Sequence, residues 1–177
     1  MAAERAILIA IGANLAGPGG TSPLANCRAA ATAMDGMRGL RLVALSRWWL
    51  SAPIPESGQP DYVNGVARLE GEIAPEVLLE ALQAIERAAG REPRERNAAR
   101  PLDLDIIAMG ALRRRTPDPV VPHPRTHLRA FVLAPLVEVA PGWVHPEIGR
   151  TAEVLLAGLP TQRLHPFEIA GNSGCGR

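Results

Sequence analysis

The chain contains no lysine: all 19 of its basic residues are arginine. A Walker A loop closes a lysine over the nucleotide phosphates, so a P-loop site is excluded, and any phosphate chemistry falls to arginine forks. Aromatic residues make up only 3%, which makes each ring a candidate for a specific task. There are two cysteines, Cys27 and Cys175, far apart and in no recognisable motif; they read as reduced, incidental thiols of a cytoplasmic protein. The first residues lack the charged-apolar-small pattern of a signal peptide, and no apolar run approaches the ~20 residues that span a membrane. A formal net charge of +1 gives no global pull toward nucleic acid or a membrane surface. A nucleic-acid-binding module would show a basic stripe with interleaved aromatics, and none is present. Nor is there an internal repeat.

What is present is a chain of 177 residues, 47% hydrophobic, the size of one domain with a core of its own. Residues 6–12 form a continuous apolar run ended by Gly12, the pattern of a strand covered on both faces. Ser22 before Pro23 marks a helix start, and this helix is expected to run to Met34. Residues 40–50 alternate and predict a second strand, 51–60 a loop, and 62–70 a third strand. A helix is predicted over 75–89, with Pro75 and Glu76 opening it, Gly90 closing it, and Leu78, Leu82, Ile85 and Ala89 in one apolar stripe. An arginine-rich loop over 91–100 leads to a strand over 102–107. A proline-rich loop over 116–124 precedes helices over 129–139 and 151–159, and the last seven residues read as disordered. Two strands in succession before the long helix favour an α+β sandwich with a mainly antiparallel sheet over a doubly wound parallel one.

Asp103 and Asp105 carry the sharpest chemical signal. At i and i+2 on a strand they share a face, about 7 Å apart at their roots, while Leu102, Leu104 and Ile106 turn to the core. Paired carboxylates on a rigid element suit Mg²⁺, which takes one or two of them together with substrate phosphates, although two aspartates on an edge strand can also be plain surface residues. Arg91, Arg94, Arg96 and Arg100 sit in the loop that feeds the pair. That is a metal–polyphosphate arrangement, or else a solvated loop partly neutralised by Glu92 and Glu95. Tyr62, the one tyrosine, and Asn64 share a strand face and suit a flat heterocycle, a ring to stack and an amide to pair, or else are a tyrosine at a sheet edge and an asparagine in a turn. The residues 12–17 resemble a phosphate loop only superficially, since the lysine is missing.

Taken together, the segments Ile9-Ala-Ile-Gly-Ala-Asn14, Gln59-Pro-Asp-Tyr-Val-Asn64, Gly90-Arg91, Arg100-Pro-Leu-Asp-Leu-Asp-Ile106, Val121-Pro-His-Pro124, Arg129-Ala-Phe131 and Leu133-Ala-Pro-Leu-Val-Glu-Val-Ala-Pro141 give the chain a clear likeness. It resembles the hydroxymethyldihydropterin pyrophosphokinases of folate biosynthesis, in family order from about residue 6 to 160. The resemblance implies a ferredoxin-like, three-layer α/β/α sandwich. It implies transfer of the terminal pyrophosphoryl unit of ATP to the hydroxymethyl group of the pterin, with release of AMP. Asp103 and Asp105 would be ligands of two Mg²⁺ ions, and Arg91 and Arg100 the phosphate-handling pair that completes the catalytic set. Tyr62 and Phe131 would sandwich the pterin with Asn64 on its edge, and Ser51, Pro53 and Ile54 would line the same pocket. Gln83, Glu86, Ile106, His123 and Arg129, with Arg91 and Arg100, would form the ATP side, Gln83 and Glu86 facing one ligand as i, i+3 neighbours. The expected organisation is a catalytic domain over 1–160 and a C-terminal extension over 161–177, acting as a cytoplasmic monomer on small molecules, without nucleic acid or membrane. Departures fall mainly in the arginine loop. Asn97-Ala-Ala99 stands where many members carry Trp-Gly-Pro, Pro101 replaces a common Thr, and Trp49 and Ser51 replace a common Tyr and Thr. A loop over 91–100 that orders only when both substrates bind is expected to form a shallow lid.

Overall fold

The computed structural model describes residues 6–91 and 99–168. In chain order the elements are strand β1 (Ala6–Ala13), helix α1 (Pro23–Met34), strands β2 (Arg41–Leu45), β3 (Trp49–Ser51) and β4 (Tyr62–Glu70), helix α2 (Pro75–Ala88), strand β5 (Asp103–Met109), helices α3 (Ala130–Val139) and α4 (Ala152–Ala157), and strand β6 (Leu164–Pro166). The expected helix start is present: the Ser22 hydroxyl accepts from the Ala25 amide at 3.2 Å, with Pro23 in the first turn.

One antiparallel sheet runs β5–β1–β4–β3–β6, with β2 also on β4. With β2 and β3 counted as one interrupted strand, the order β1-α1-β2/β3-β4-α2-β5 is the ferredoxin-like arrangement. Strand alternation sorts the core into two layers. Ile7, Ile9 and Ile11 of β1 face α1 and α2, packing with Cys27, Met34, Leu78 and Leu82. Leu8, Val66 and Ile107 face α3 and α4, packing with Leu133, Leu136 and Ala152. The result is an α/β/α sandwich.

The single strand expected over 40–50 is broken. Leu45 pairs with Ala67 and Trp49 with Asn64, so three residues, 46–48, stand against two, 65–66. This is a β-bulge. Ser46 bridges it: its amide donates to the Val66 carbonyl at 3.0 Å and its hydroxyl accepts from the Val66 amide at 2.9 Å. Glu138 of α3 holds the next residues, accepting from the Arg47 amide at 2.8 Å and from Trp49 Nε1 at 3.1 Å. The extra residue reverses the alternation. Trp48 turns to the α1/α2 core and closes on Gly65, where a Cβ would lie 2.7 Å from its ring. Trp49 and Ser51 then share the face of Asn64 and Tyr62.

That face bears the site. In register across it lie Asp103, Gly12, Asn64 and Trp49, with Asp105 opposite Ala10. Helix α3 covers the apolar part around Leu8 and Val66. The small residues Ala10 and Gly12 leave a low floor where α3 does not reach.

β6 pairs with β3, Leu164 opposite Ser51, so this part of the expected extension completes the sheet. The expected disorder of the last seven residues lies outside the described residues. So do Arg94, Arg96, Asn97 and Ala98, and with them most of the expected lid.

Candidate active site

The two aspartates share a face as their spacing demands, but their surroundings differ. Asp103 Oδ1 accepts from Arg100 Nη1 at 2.6 Å and pairs with Arg91 Nη1 at 3.0 Å. Asp105 Oδ2 lies 3.7 Å from both His123 Nε2 and Arg129 Nη1, too far for hydrogen bonds. Burial, and then the negative charge of Asp103, raise the pKa of Asp105 above the usual carboxylate range, with His123, Arg129 and Arg100 opposing. Burial also lowers the pKa of His123, against the pull of Asp105. His123 Nδ1 accepts from the Arg125 amide at 3.1 Å, which leaves Nε2 to carry the proton toward Asp105.

This donor set fits Mg²⁺. A cation between two like-charged carboxylates removes the repulsion that burdens Asp105. Among the described residues no three His, Cys, Asp or Glu side chains gather as a metal cage. Two carboxylates leave the remaining positions to water and substrate oxygens, the habit of magnesium at phosphate-transfer sites.

The aspartates line a cavity of about 610 Å³ together with Arg100, His123 and Arg129. The other end of the same cavity is formed by Tyr62, Asn64, Ser51, Pro53, Ile54 and Phe131. Asn64 Nδ2 donates to Ser51 Oγ at 3.0 Å and to the Tyr62 carbonyl at 3.2 Å, fixing the amide at the sheet face. The guanidinium of Arg129 lies 5.5 Å over the Phe131 ring, a cation–π contact that joins the two ends of the cavity. Burial, then the charge of Asp103, raise the pKa of the Tyr62 phenol, keeping it neutral.

Four expected residues, Gln83, Glu86, Arg91 and Ile106, do not line the cavity. The Ile106 side chain is buried beneath the sheet among the α1/α2 core, because alternation turns it away from the aspartate face. Gln83 is exposed on α2, whereas Glu86 is 3% exposed. The two members of this i, i+3 pair differ in exposure: Glu86 continues the buried Leu78–Leu82 row at i+4, and Gln83 falls outside it. Glu86 instead binds Arg91 and accepts from the Leu104 amide at 2.7 Å. It thereby sets both Arg91 and β5 in place. Burial raises its pKa, against the Leu104 hydrogen bond and the Arg91 charge.

Asn14, 2% exposed, has a positioning role that the sequence alone did not assign. Its Oδ1 accepts from the Arg100 amide at 2.9 Å, and its Nδ2 donates to Gln59 Oε1 and the Pro60 carbonyl, both at 3.2 Å. Gln59 Oε1 in turn accepts from the Tyr62 hydroxyl at 3.4 Å. One side chain thus joins the phosphate end to the ring end. Asn26 of α1 adds a bond to the Pro101 carbonyl at 3.1 Å. Arg125 is a further cation on the cavity wall. An Asn after a strand-ending Gly-Ala was the available signal for Asn14; Arg125 had none.

Carboxylates that suit a hard cation, beside guanidinium groups that suit phosphate, define a class of site built for phosphoryl-group transfer. Residues 8–141 match the model of the 7,8-dihydro-6-hydroxymethylpterin-pyrophosphokinase family. The chain is 42% identical over 154 residues to the 2-amino-4-hydroxy-6-hydroxymethyldihydropteridine pyrophosphokinase of Pseudomonas aeruginosa, covering 87% of this chain and 91% of the relative. It is 38% identical to the protein of that name from Haemophilus influenzae, over 78% of this chain and 83% of the relative. The Synechocystis protein of that name is 36% identical, over 84% and 78%. The chain belongs to this pyrophosphokinase family.

Proposed function

We propose that the protein transfers the terminal pyrophosphoryl unit of ATP to the hydroxymethyl group of 6-hydroxymethyl-7,8-dihydropterin, with release of AMP, as a step of folate biosynthesis. The observation that carries this is a single cavity lined at one end by Asp103 and Asp105 and at the other by Tyr62, Asn64 and Phe131. A flat ring held at the second end presents a substituent to phosphates held at the first. Positioning of this kind converts a bimolecular displacement into a step within one complex.

In this reading the substrate hydroxyl oxygen attacks the β-phosphorus of ATP, the bond from that phosphorus to the α,β-bridging oxygen breaks, AMP leaves with that oxygen, and the hydroxyl proton passes to solvent. Asp103 and Asp105 would hold two Mg²⁺ ions, which would supply neutralisation of the phosphate charge. Arg100 and Arg91, already oriented by Asp103 and Glu86, take phosphate oxygens where charge redistributes. His123 and Arg129 approach the phosphates from the Asp105 side. Tyr62 and Phe131 stack on the pterin, and Asn64, held by Ser51, pairs with its edge. The enzyme acts as a cytoplasmic monomer whose partners are its small-molecule substrates. Among the described residues, no helix is long and apolar enough to cross a membrane.

Chromatography of the nucleotide products tests the reading. With Mg²⁺, ATP and the pterin, AMP is expected in equal amount to the pterin diphosphate. Production of ADP would make the protein an ordinary kinase and sink the pyrophosphoryl assignment.

A further inference from the structure

The family match ends at Pro141, and residues 161–168 lie beyond it, yet they stand directly behind the ring-binding wall. Residues 51–54 and Phe131 line both the main cavity and a second cavity of about 210 Å³. Thr161, Gln162, Arg163 and Leu164 also line that second cavity. Hydrogen bonds from the C-terminal segment tie these shared residues in place.

These bonds fall at two places. At the loop, β6 pairs with β3 beside Ser51, the Ala52 amide donates to the Arg163 carbonyl at 3.3 Å, and Arg163 Nη2 meets Asp61 Oδ1 at 2.5 Å. At the helix, the Gln162 side chain binds both sides of Arg129: its Oε1 accepts from the Ala130 amide at 2.9 Å, and its Nε2 donates to the Leu128 carbonyl at 3.1 Å. Helix α3 has no capping side chain at its own N-cap, Arg129. Gln162 supplies the missing cap from 32 residues away. Phe131 sits in the turn so capped.

We propose that Gln162 is a positioning residue for the ring-binding end of the site: it caps α3 and, with β6 and Arg163, fixes the distance between Phe131 and the Tyr62–Asn64 strand. The identity of the ring rests on the function proposed above. The Arg163–Asp61 pair is largely exposed and contributes less, so Gln162 is the sharper test.

The experiment compares Gln162→Ala with Thr151→Ala. Thr151 caps α4 through the Val154 amide, so its loss removes a bond of the same kind away from the cavity. Titration calorimetry with the pterin should show about five- to tenfold weaker binding in Gln162→Ala, the effect of one lost cap, and wild-type affinity in Thr151→Ala. Equal weakening in both, or none in either, overturns the proposal. If Gln162→Ala does not fold, Gln162→Asn retracts the amide by one methylene and takes its place: weakened binding supports the clamp, and wild-type binding overturns it. If the wild-type protein neither binds the pterin nor forms AMP, the functional reading fails separately. Amide exchange at residues 130–133 and 51–54 then decides the clamp: faster exchange in the Gln162 variant than in Thr151→Ala supports it, and unchanged protection overturns it.

Discussion

Asp103 and Asp105 show how two identical side chains on one strand face come to differ. Asp103 is neutralised by Arg100 and Arg91 at hydrogen-bond distance, while Asp105 has the longer attraction of His123, Arg129 and Arg100. Asn at either position should lower turnover about a thousandfold, the several kcal/mol by which metal ions stabilise transferring charge. The two changes should separate in stability. The raised pKa of Asp105 means that its charged form is disfavoured by the fold, so Asp105→Asn should raise the melting temperature in magnesium-free buffer. A lowered melting temperature with turnover intact would remove Asp105 from the metal site. For Tyr62→Ala and Phe131→Ala, loss of one face of a ring sandwich should cost about 1–3 kcal/mol of pterin binding, by analogy with base–aromatic stacking. ATP affinity should be spared. Fluorescence titration with each ligand separates this outcome from general misfolding, in which both affinities fall.

At the level of elements, the joint between α2 and β5 controls the phosphate end. Glu86 reaches from the helix to the Leu104 amide and to Arg91, so one carboxylate sets the position of the strand that bears both aspartates. Glu86→Ala leaves a buried donor without its acceptor, and a loss of about 1–3 kcal/mol is expected in urea unfolding. Glu86→Gln keeps an acceptor for Leu104 but loses the charge that holds Arg91. It should recover most of the stability while turnover remains reduced. Full recovery of both would confine Glu86 to a role in the fold. The bulge at 46–48 plays a similar part on the ring side. Without its extra residue, Trp49 and Ser51 would face α1 and α2, and Asn64 would lose its hydroxyl partner.

For the molecule as a whole, the α3–α4 connection carries a built-in sensitivity to acid. His145 is 2% exposed, its Nδ1 accepts from the Glu147 and Ile148 amides at 3.3 and 3.4 Å, and its ring lies edge-on to His127 and Trp143. Burial, and then His127, hold its pKa below 6.5, with Glu147 opposing. The folded protein therefore refuses a proton that the unfolded chain accepts, and stability falls as pH drops through about 6.5. His145→Gln removes this titration. Melting curves from about pH 7 to about pH 5 should show a smaller decline in the variant than in the wild type. Parallel declines would assign the acid sensitivity elsewhere.

The strands, the helices and the pairing of Asp103 with Asp105 were legible in the sequence because each depends on neighbours a few residues away. Period-two alternation, a Ser-Pro helix start and the apolar stripe of α2 are local facts, and the α+β, mainly antiparallel architecture followed from their order. The family motifs also named most of the residues that the structure gathers around the cavity. Only the tertiary structure decided how those residues are held. Asn14 meets Arg100, Gln59 and Pro60 from 86, 45 and 46 residues away, and Gln162 meets Ala130 from 32. Glu86 turns inward because α2 packs that row of the helix against β5, a matter of helix rotation that i, i+3 spacing does not specify. Trp49 and Ser51 share the sheet face of Asn64 and Tyr62, and Ser51 lines the cavity, because one extra residue in β3's approach shifts a register set by β4. Hydrogen bonds of this reach depend on how the sheet and the helix layers pack, and no stretch of neighbouring residues encodes that packing by itself.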